Sequence, residues 1–500
     1  MDIQFPYILV LFASLLFLFI VVNGKRSSKL PPGPWKLPVI GNLHNMLGLV
    51  PHRSLGNLSK KYGPLMQLQL GEVPILVVSS ASVAKQIMKT HDLSFADRPE
   101  IYAAKVMLYD CSNVVFSRYG DYWREMRKIF ILQVLSAKHV PLFRPLREEE
   151  VSNTIRSISS QAGEPINLSK RITSLFNTIT LRAAFGDNCK VNEEIISMMR
   201  ESITLISGLE DLFPSLKLIH HIGGTKSKLL GFHQEVDKFL EGVIQEHKKS
   251  RMTRTKNDDN ANIDEEDLVD VLLRVQESGE LSLTTENIKA LVWEIIGAGT
   301  DTLAVAVLWA MSELLRNRRA MEKVQTEVRR VFDGKKQIEK TDVKKLEYLN
   351  LVIKETLRLH PPAPLTLRES RESCEIDGYE IPAKTKVIIN LWAIGMDPDY
   401  WSDPDTFQPE RFASNSVDYK GNSFEYIPFG AGRRMCPGIS FAMANVELTL
   451  VHLLYHFDWK IPNEEKPEDL DMSELFGISV DRKIDLVLIP IPFISPNCGI

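Results

Sequence analysis

The spacing of apolar and polar positions changes character several times along the chain, and each change predicts an element. From Phe5 to Val22 no charged residue occurs, and about 18 residues at about 1.5 Å each give roughly 27 Å, close to the hydrocarbon thickness of a bilayer. Met66-Gln67-Leu68-Gln69-Leu70 alternates and Ile75-Leu76-Val77-Val78 is a compact apolar run, which predicts two strands and a turn. Ala81 to Thr90 reads as a helix. Asp121 is placed to cap a second helix carrying Trp123 and Arg127, four apart, on one face. Residues 148–249 are mostly helical in pattern, broken near Gly186-Asp187, Phe213-Pro214 and Gly223-Gly224. Arg251 to Glu266 is polar with little to bury, which predicts a flexible surface loop.

Thr284 or Thr285 can cap a helix running to about Asn317, apolar nearly all the way round and so expected to pass through the core. In its middle stand Gly297-Ala298-Gly299-Thr300-Asp301-Thr302. Two glycines there cost about 1 kcal/mol each relative to alanine, and Asp301 brings a carboxylate into apolar surroundings. Small side chains let a flat ligand lie against the helix, and an acid beside a hydroxyl can organise water and pass protons. The alternative for Thr302 is a hydroxyl bonded back to its own turn. Lys354 to His360 closes another helix, ended by Pro361-Pro362, with Glu355 and Arg358 on one face. Asp377-Gly378 signals a hairpin and Val387 to Leu391 a further strand. The class is therefore mainly α with small β-sheets.

Composition narrows the role. With 44% hydrophobic and 25% charged residues the chain can bury a large core, and a net charge of -4 spread along it argues against nucleic acid as a partner. The five cysteines are odd in number and far apart, which fits a reducing compartment without a disulfide framework. The apolar amino terminus begins with Asp2 and is followed by Lys25, Arg26 and Lys29. That order fits a single-pass anchor with the remainder in the cytosol rather than a cleaved signal. The expected organisation is an anchor over 1–24, a basic and proline-rich hinge over 25–38 containing Pro31-Pro32-Gly33-Pro34, and one catalytic domain over 39–500.

One cysteine stands apart. Cys436 lies in Pro428-Phe429-Gly430-Ala431-Gly432-Arg433-Arg434-Met435-Cys436-Pro437-Gly438, where three glycines permit tight turns and close approach to a flat ligand. Pro437 suits the first turn of a helix running on through Phe441, whose positive end would favour a thiolate at Cys436. Such a thiolate is a ligand or a nucleophile. No second Cys or His stands at zinc-ligand spacing, whereas a haem iron needs only one axial thiolate.

Phe429, Gly432, Arg434, Cys436 and Gly438 resemble the haem-binding signature of the cytochrome P450 monooxygenases. The likeness extends over almost the whole chain, through Lys61-Tyr62-Gly63-Pro64-Leu65 and Leu454-Tyr455-His456-Phe457-Asp458-Trp459, and is strongest to plant microsomal oxygenases acting on terpenoids. It implies the P450 fold with an amino-terminal membrane anchor, haem b as cofactor and Cys436 as the iron ligand. Trp123, Arg127, Arg368 and Arg434 would face the propionates, Ala298 would lie against the ring, and Asp301 with Thr302 would deliver protons. Glu355, Arg358 and Arg411 would lock the segment before the cysteine loop. Pocket walls would come from 101–116, 207–213, 293–305, 363–367 and 476–478. Two positions depart from the family pattern: Leu303 replaces a hydroxyl residue and Leu367 replaces a proline. No Gly-rich flavin or nicotinamide fingerprint is evident, so electrons are expected from an NADPH-cytochrome reductase in the endoplasmic reticulum membrane. Arg124, Lys128 and Arg433 are candidate contacts for it, although a solvated face explains them equally. The expected reaction inserts one atom of O2 into a hydrophobic substrate delivered from membrane lipid. Alternatives are an alkaloid or other specialised-metabolite hydroxylase, a reductase-independent isomerase or dehydratase, and a haem-binding sensor.

Overall fold

A computed structural model describes residues 30–135, 139–186, 195, 198, 201, 209–215, 225–254, 266–279, 282–333, 343, 345–414, 416–464, 466–477 and 479–493. The expected anchor over 1–24 and the first five hinge residues, 25–29, lie outside the described residues. The principal helices are α1 (Asp121–Ile129), α2 (Arg144–Ser159), α3 (Leu168–Phe185), α4 (Thr225–Arg254), α5 (Leu268–Ser278), α6 (Thr285–Arg316), α7 (Arg318–Phe332), α8 (Glu347–Leu359) and α9 (Ile439–His456).

The long helix α6 starts where its sequence says it should. Thr284 is the N-cap: its hydroxyl accepts from Asn287 N at 3.2 Å, and the Asn287 side chain accepts from Thr284 N at 3.0 Å, a reciprocal capping box. By composition α6 could cross a membrane, but 61% of its most apolar window is buried inside the protein, so it is a core helix. Its two halves belong to different cores. Leu291 and Ile296 pack with α1, α4 and α5, while Leu303, Val307 and Leu314 pack with α3, α7, α8 and α9. The segment 297–302 thus falls at the junction of two apolar clusters. There Gly299 lets α3 approach: a Cβ on it would lie 3.1 Å from Thr180 Cγ2, and Thr180 Oγ1 donates to Gly299 O at 2.9 Å.

A four-stranded sheet lies beside the helices, built from β1 (Leu65–Leu70), β2 (Val73–Val78), β3 (Leu365–Glu369) and β4 (Lys386–Asn390) in the order β1-β2-β4-β3. The β2 and β4 pair is parallel, with Val77 opposite Ile388, and the other two pairs are antiparallel. The expected hairpin is present, Cys374–Ile376 against Tyr379–Ile381, with Asp377 (φ 52°) and Gly378 (φ 80°) both left-handed as a two-residue turn requires. Leu391 leaves the predicted strand and opens a short helix, because the Asn390 side chain accepts from Ala393 N at 3.0 Å.

Two expectations about ends are corrected. Gly120 is the N-cap of α1 and Asp121 is its first residue, paired with Arg124 on the surface. The predicted loop starting at Arg251 starts later: α4 continues to Arg254, and Arg251 is held by Glu277, Glu266 and Asp270. The described part of the hinge lies flat on the domain, since Gln67 N donates to Pro32 O at 2.8 Å and a Cβ on Gly33 would come within 2.0 Å of Gln67 O.

Candidate active site

The cysteine loop folds back on itself before α9. Cys436 N donates to Phe429 O at 3.0 Å and Gly430 N to Ile427 O at 2.8 Å, with Gly430 at φ 71° and Gly432 at φ 68°. The helix itself begins only at Ile439, capped by Gly438, so Pro437 lies ahead of its first turn. The helix dipole therefore favours a thiolate at Cys436 less than a helix starting at Pro437 would. Burial raises the pKa of Cys436, against the opposing pull of Gly438 N–H and the Arg127 charge. Its sulfur is enclosed by the protein yet open to an internal cavity.

That cavity measures about 340 Å³ and is mainly apolar. Cys436, Phe429 and Gly438 form one wall, and Ala298, Gly299, Thr302 and Leu303 of α6 form another. Leu303 therefore does make the site more apolar than a hydroxyl residue would. Thr302 Oγ1 donates back to Ala298 O at 2.8 Å, which leaves its lone pairs free to accept. Asp301 is half-buried one residue away and does not line the cavity. Gly432 is also off the cavity, and its missing side chain serves another purpose: a Cβ would fall 2.2 Å from Met88 O and 2.7 Å from Asp92 Oδ1. Of the expected pocket walls, Val114, Val115, Ala363, Leu365 and Thr366 border the cavity. Phe213 and Phe476 do not; Phe213 instead packs over Gly71. Residues 207, 208 and 478 lie outside the described residues.

At the edge of the cavity four guanidiniums converge, those of Arg98, Arg127, Arg368 and Arg434. Burial, then mutual repulsion, pushes Arg368 far below its usual pKa; burial brings Arg98 down to about 10 and Arg434 to about 9. Arginines hold their charge under such pressure, so the cluster calls for anions. The Nε of Arg98 is buried with no hydrogen-bond partner. Nothing in Asp97-Arg98-Pro99 distinguishes Arg98 from a surface arginine in the sequence. Trp123 sits behind the cluster rather than in it: its Nε1 donates to Val114 O at 2.9 Å, and Arg434 lies over its ring at 4.5 Å. Arg434 is largely committed to backbone, donating from Nε to Ala96 O (2.7 Å), from Nη1 to Val114 O (3.0 Å) and from Nη2 to Ser117 O (2.5 Å). A second acid also emerges. Glu294 is the only carboxylate among the described residues lining the cavity, and burial pushes its pKa up to about 7. In the sequence it is a lone acid in an apolar stretch, as Asp301 is.

Away from the cavity, Glu355, Arg358 and Arg411 form one buried network. Arg358 Nε and Nη2 reach the two Glu355 oxygens at 2.8 Å each, and Arg411 Nε reaches Oε1 at 2.8 Å.

A thiol and a small-residue helix facing each other across an apolar cavity, with an arginine cluster at its rim, fit a flat dianionic ring bound through one sulfur. The sequence profile of the cytochrome P450 family matches residues 31–487. The chain belongs to the cytochrome P450 family. Haem is accordingly its cofactor and monooxygenation its reaction class. The chain is 54% identical over 494 residues to desmethyl-deoxy-podophyllotoxin synthase of Sinopodophyllum hexandrum, spanning 97% of each chain. It is 49% identical over 500 residues to premnaspirodiene oxygenase of Hyoscyamus muticus, covering 98% of this P450 and 99% of that one. A zebra fish cytochrome P450 solved with abiraterone shares the fold at a TM-score of 0.75 and 24% identity, covering 89% of this chain and 100% of that one.

Proposed function

We propose that this P450 inserts one oxygen atom of O2 into a small, hydrocarbon-like specialised metabolite of the terpenoid class, with electrons from NADPH through a membrane-bound reductase. The observation that carries this reading is the composition of the cavity: Val114, Val115, Ile295, Leu303, Ala363 and Leu365 offer apolar contact and almost no hydrogen-bond recognition. The similarity to premnaspirodiene oxygenase supports the same substrate class.

Bound haem supplies the reductive chemistry of O2, in which one oxygen atom enters the substrate and the other leaves as water. The protein's contribution is the rest. Cys436 would ligate the iron, and Phe429 and Gly438 would keep the sulfur's surroundings close-packed. Arg98, Arg127 and Arg368 would neutralise the two propionates, with Arg98 Nε a donor still free to grip one. Ala298 and Gly299 would let the ring lie against α6. Thr302 would accept a hydrogen bond at the oxygen side and Asp301 would relay protons from solvent. The apolar amino terminus, 1–24, would hold the catalytic domain on the cytosolic face of the endoplasmic reticulum membrane, where hydrophobic substrates partition.

Membranes carrying this protein and an NADPH-cytochrome reductase, fed a terpene panel, test the reading. Oxygen uptake with a product heavier by one oxygen atom is expected. No uptake with any terpene, but turnover of a hydroperoxide, would replace it with a reductase-independent isomerase or dehydratase. A product from alkaloid substrates alone would keep the reaction and overturn the substrate class.

A further inference from the structure

Residue Val114 is bound on both sides. Its N–H donates to Glu294 Oε2 at 2.7 Å, on α6, while its carbonyl accepts from Trp123 Nε1 on α1 and from Arg434 Nη1 in the cysteine loop. The N–H of Val115 also favours the Glu294 carboxylate, and the fully buried Asn113 amide nitrogen faces it without completing a hydrogen bond. The backbone leading into residues 113–117, a strap over the cavity wall, is strained: Tyr109, Asp110 and Cys111 stand consecutively in the left-handed region at φ 49°, 58° and 58°. A second tie restrains that end. Tyr109 Oη donates to Asp237 Oδ1 at 2.6 Å, and Lys289 Nζ, also on α6, donates to the same oxygen at 2.7 Å.

A buried acid in a cavity wall could instead recognise a basic or hydroxylic group on a ligand. The backbone N–H groups of the strap already occupy this one, which argues for holding rather than binding. We infer that Glu294 is a positioning residue: by pinning the strap 113–117 to α6 it fixes Val114 and Val115 as a rigid cavity wall, and so sets the size of ligand the site accepts. This rests on the cavity being the substrate site, as proposed above.

Hydrogen exchange of the haem-loaded protein tests the inference, with Glu294→Leu, Glu294→Asp and Glu294→Gln compared to wild type. Glu294→Leu removes the acceptor and should speed exchange over 112–118 at least tenfold while leaving α9 unchanged. Glu294→Asp, which keeps the charge but withdraws the carboxylate, should give a smaller rise, and Glu294→Gln, which keeps an acceptor, should stay within threefold of wild type. Spectral titration supplies a second readout. The ratio of dissociation constants for 4-phenylimidazole and the bulkier clotrimazole should shift at least threefold in Glu294→Leu and be restored in Glu294→Gln. Wild-type exchange over 112–118 in both Leu and Asp variants would overturn the inference, as would an unchanged azole ratio in a variant whose strap has loosened. Should the Leu variant not fold, the Asp variant carries both measurements. Neither requires turnover, so absence of monooxygenase product would sink the proposed reaction and leave this result standing.

Discussion

Replacing Glu355 by alanine should unfasten the cysteine loop from the helical core. Glu355 is fully buried and its carboxylate collects four donors: Arg358 Nε and Nη2, Arg411 Nε, and Gln408 N at 2.9 Å. The two arginines place their remaining donors on the segment 395–406. Arg358 Nη1 reaches Gly395 O and Pro404 O at 2.8 Å, and Arg411 Nη1 reaches Ser402 O at 2.8 Å. Alanine leaves both guanidiniums buried without an anion. Breaking a buried pair by removing one partner costs about 3 to 5 kcal/mol, and here one anion serves two cations, so the upper end applies. A domain is stable by only about 5 to 15 kcal/mol, and the expected loss is therefore a large share of the whole. Urea titration followed both by the Soret band and by far-ultraviolet circular dichroism measures it. Both midpoints should fall, the Soret midpoint further, because the tethered segment 395–411 precedes the cysteine loop, 428–438, in the chain. Glu355→Gln, which keeps one acceptor oxygen, should lose about half as much. A loss below about 1 kcal/mol in Glu355→Ala would refute the reasoning and place the network among ion pairs that merely decorate a surface.

Three further outcomes are expected. Cys436→Ser should abolish the thiolate-type carbon monoxide difference spectrum; a retained spectrum would mean another ligand. Thr302→Ala should raise peroxide release per NADPH several-fold with little change in substrate binding, and unchanged leakage would remove Thr302 from proton delivery. The third concerns pH. Burial lowers the pKa of His247, but Asp267 at 2.8 Å and the Val243 carbonyl, both acceptors, more than reverse this and hold it near 9. A histidine raised from 6.5 stabilises fully below pH 6.5 and loses that contribution as pH rises through 9. Partial exposure discounts the roughly 3 kcal/mol the shift would imply to about 1 to 2 kcal/mol. The stability gap between wild type and His247→Gln should therefore shrink between pH 6.5 and 9.5, and a constant gap would contradict the assignment.

What could be read from the sequence follows physical range. The start of α6 at Thr284 and the Asp377-Gly378 hairpin depend on residues two or three apart, and both stand as expected. The parallel pairing of β2 with β4 joins segments roughly 300 residues apart, and no local period encodes it. Glycines show the limit most clearly. Gly432 was legible as a residue needing positive φ, but the backbone that forbids a side chain there belongs to Met88, and Gly299 answers to Thr180 on α3. The residue type announced a close approach without saying to what. Arg98 gave no local signal at all, since a charged residue before a proline fits any exposed turn. Its importance arises only when four distant segments bring their guanidiniums together.

That convergence separates two tasks that the motif had merged. Arg434 places all three of its guanidinium nitrogens on carbonyls of residues 96–117, and the Trp123 indole N–H shares one of those carbonyls. Both side chains therefore act first as cross-links: Arg434 fastens residues 96–117 to the cysteine loop, and Trp123 fastens Val114 to α1. Arg434 still contributes its charge to the rim of the cavity, because a hydrogen bond to a carbonyl leaves the cation uncompensated. Arg98 is different, with a buried Nε that has no partner. An anion at the rim would thus find its field set by four cations and an open hydrogen-bond direction at Arg98. Framing falls to Arg434, which the cysteine-loop motif makes visible, whereas the open donor belongs to Arg98, which no motif marks.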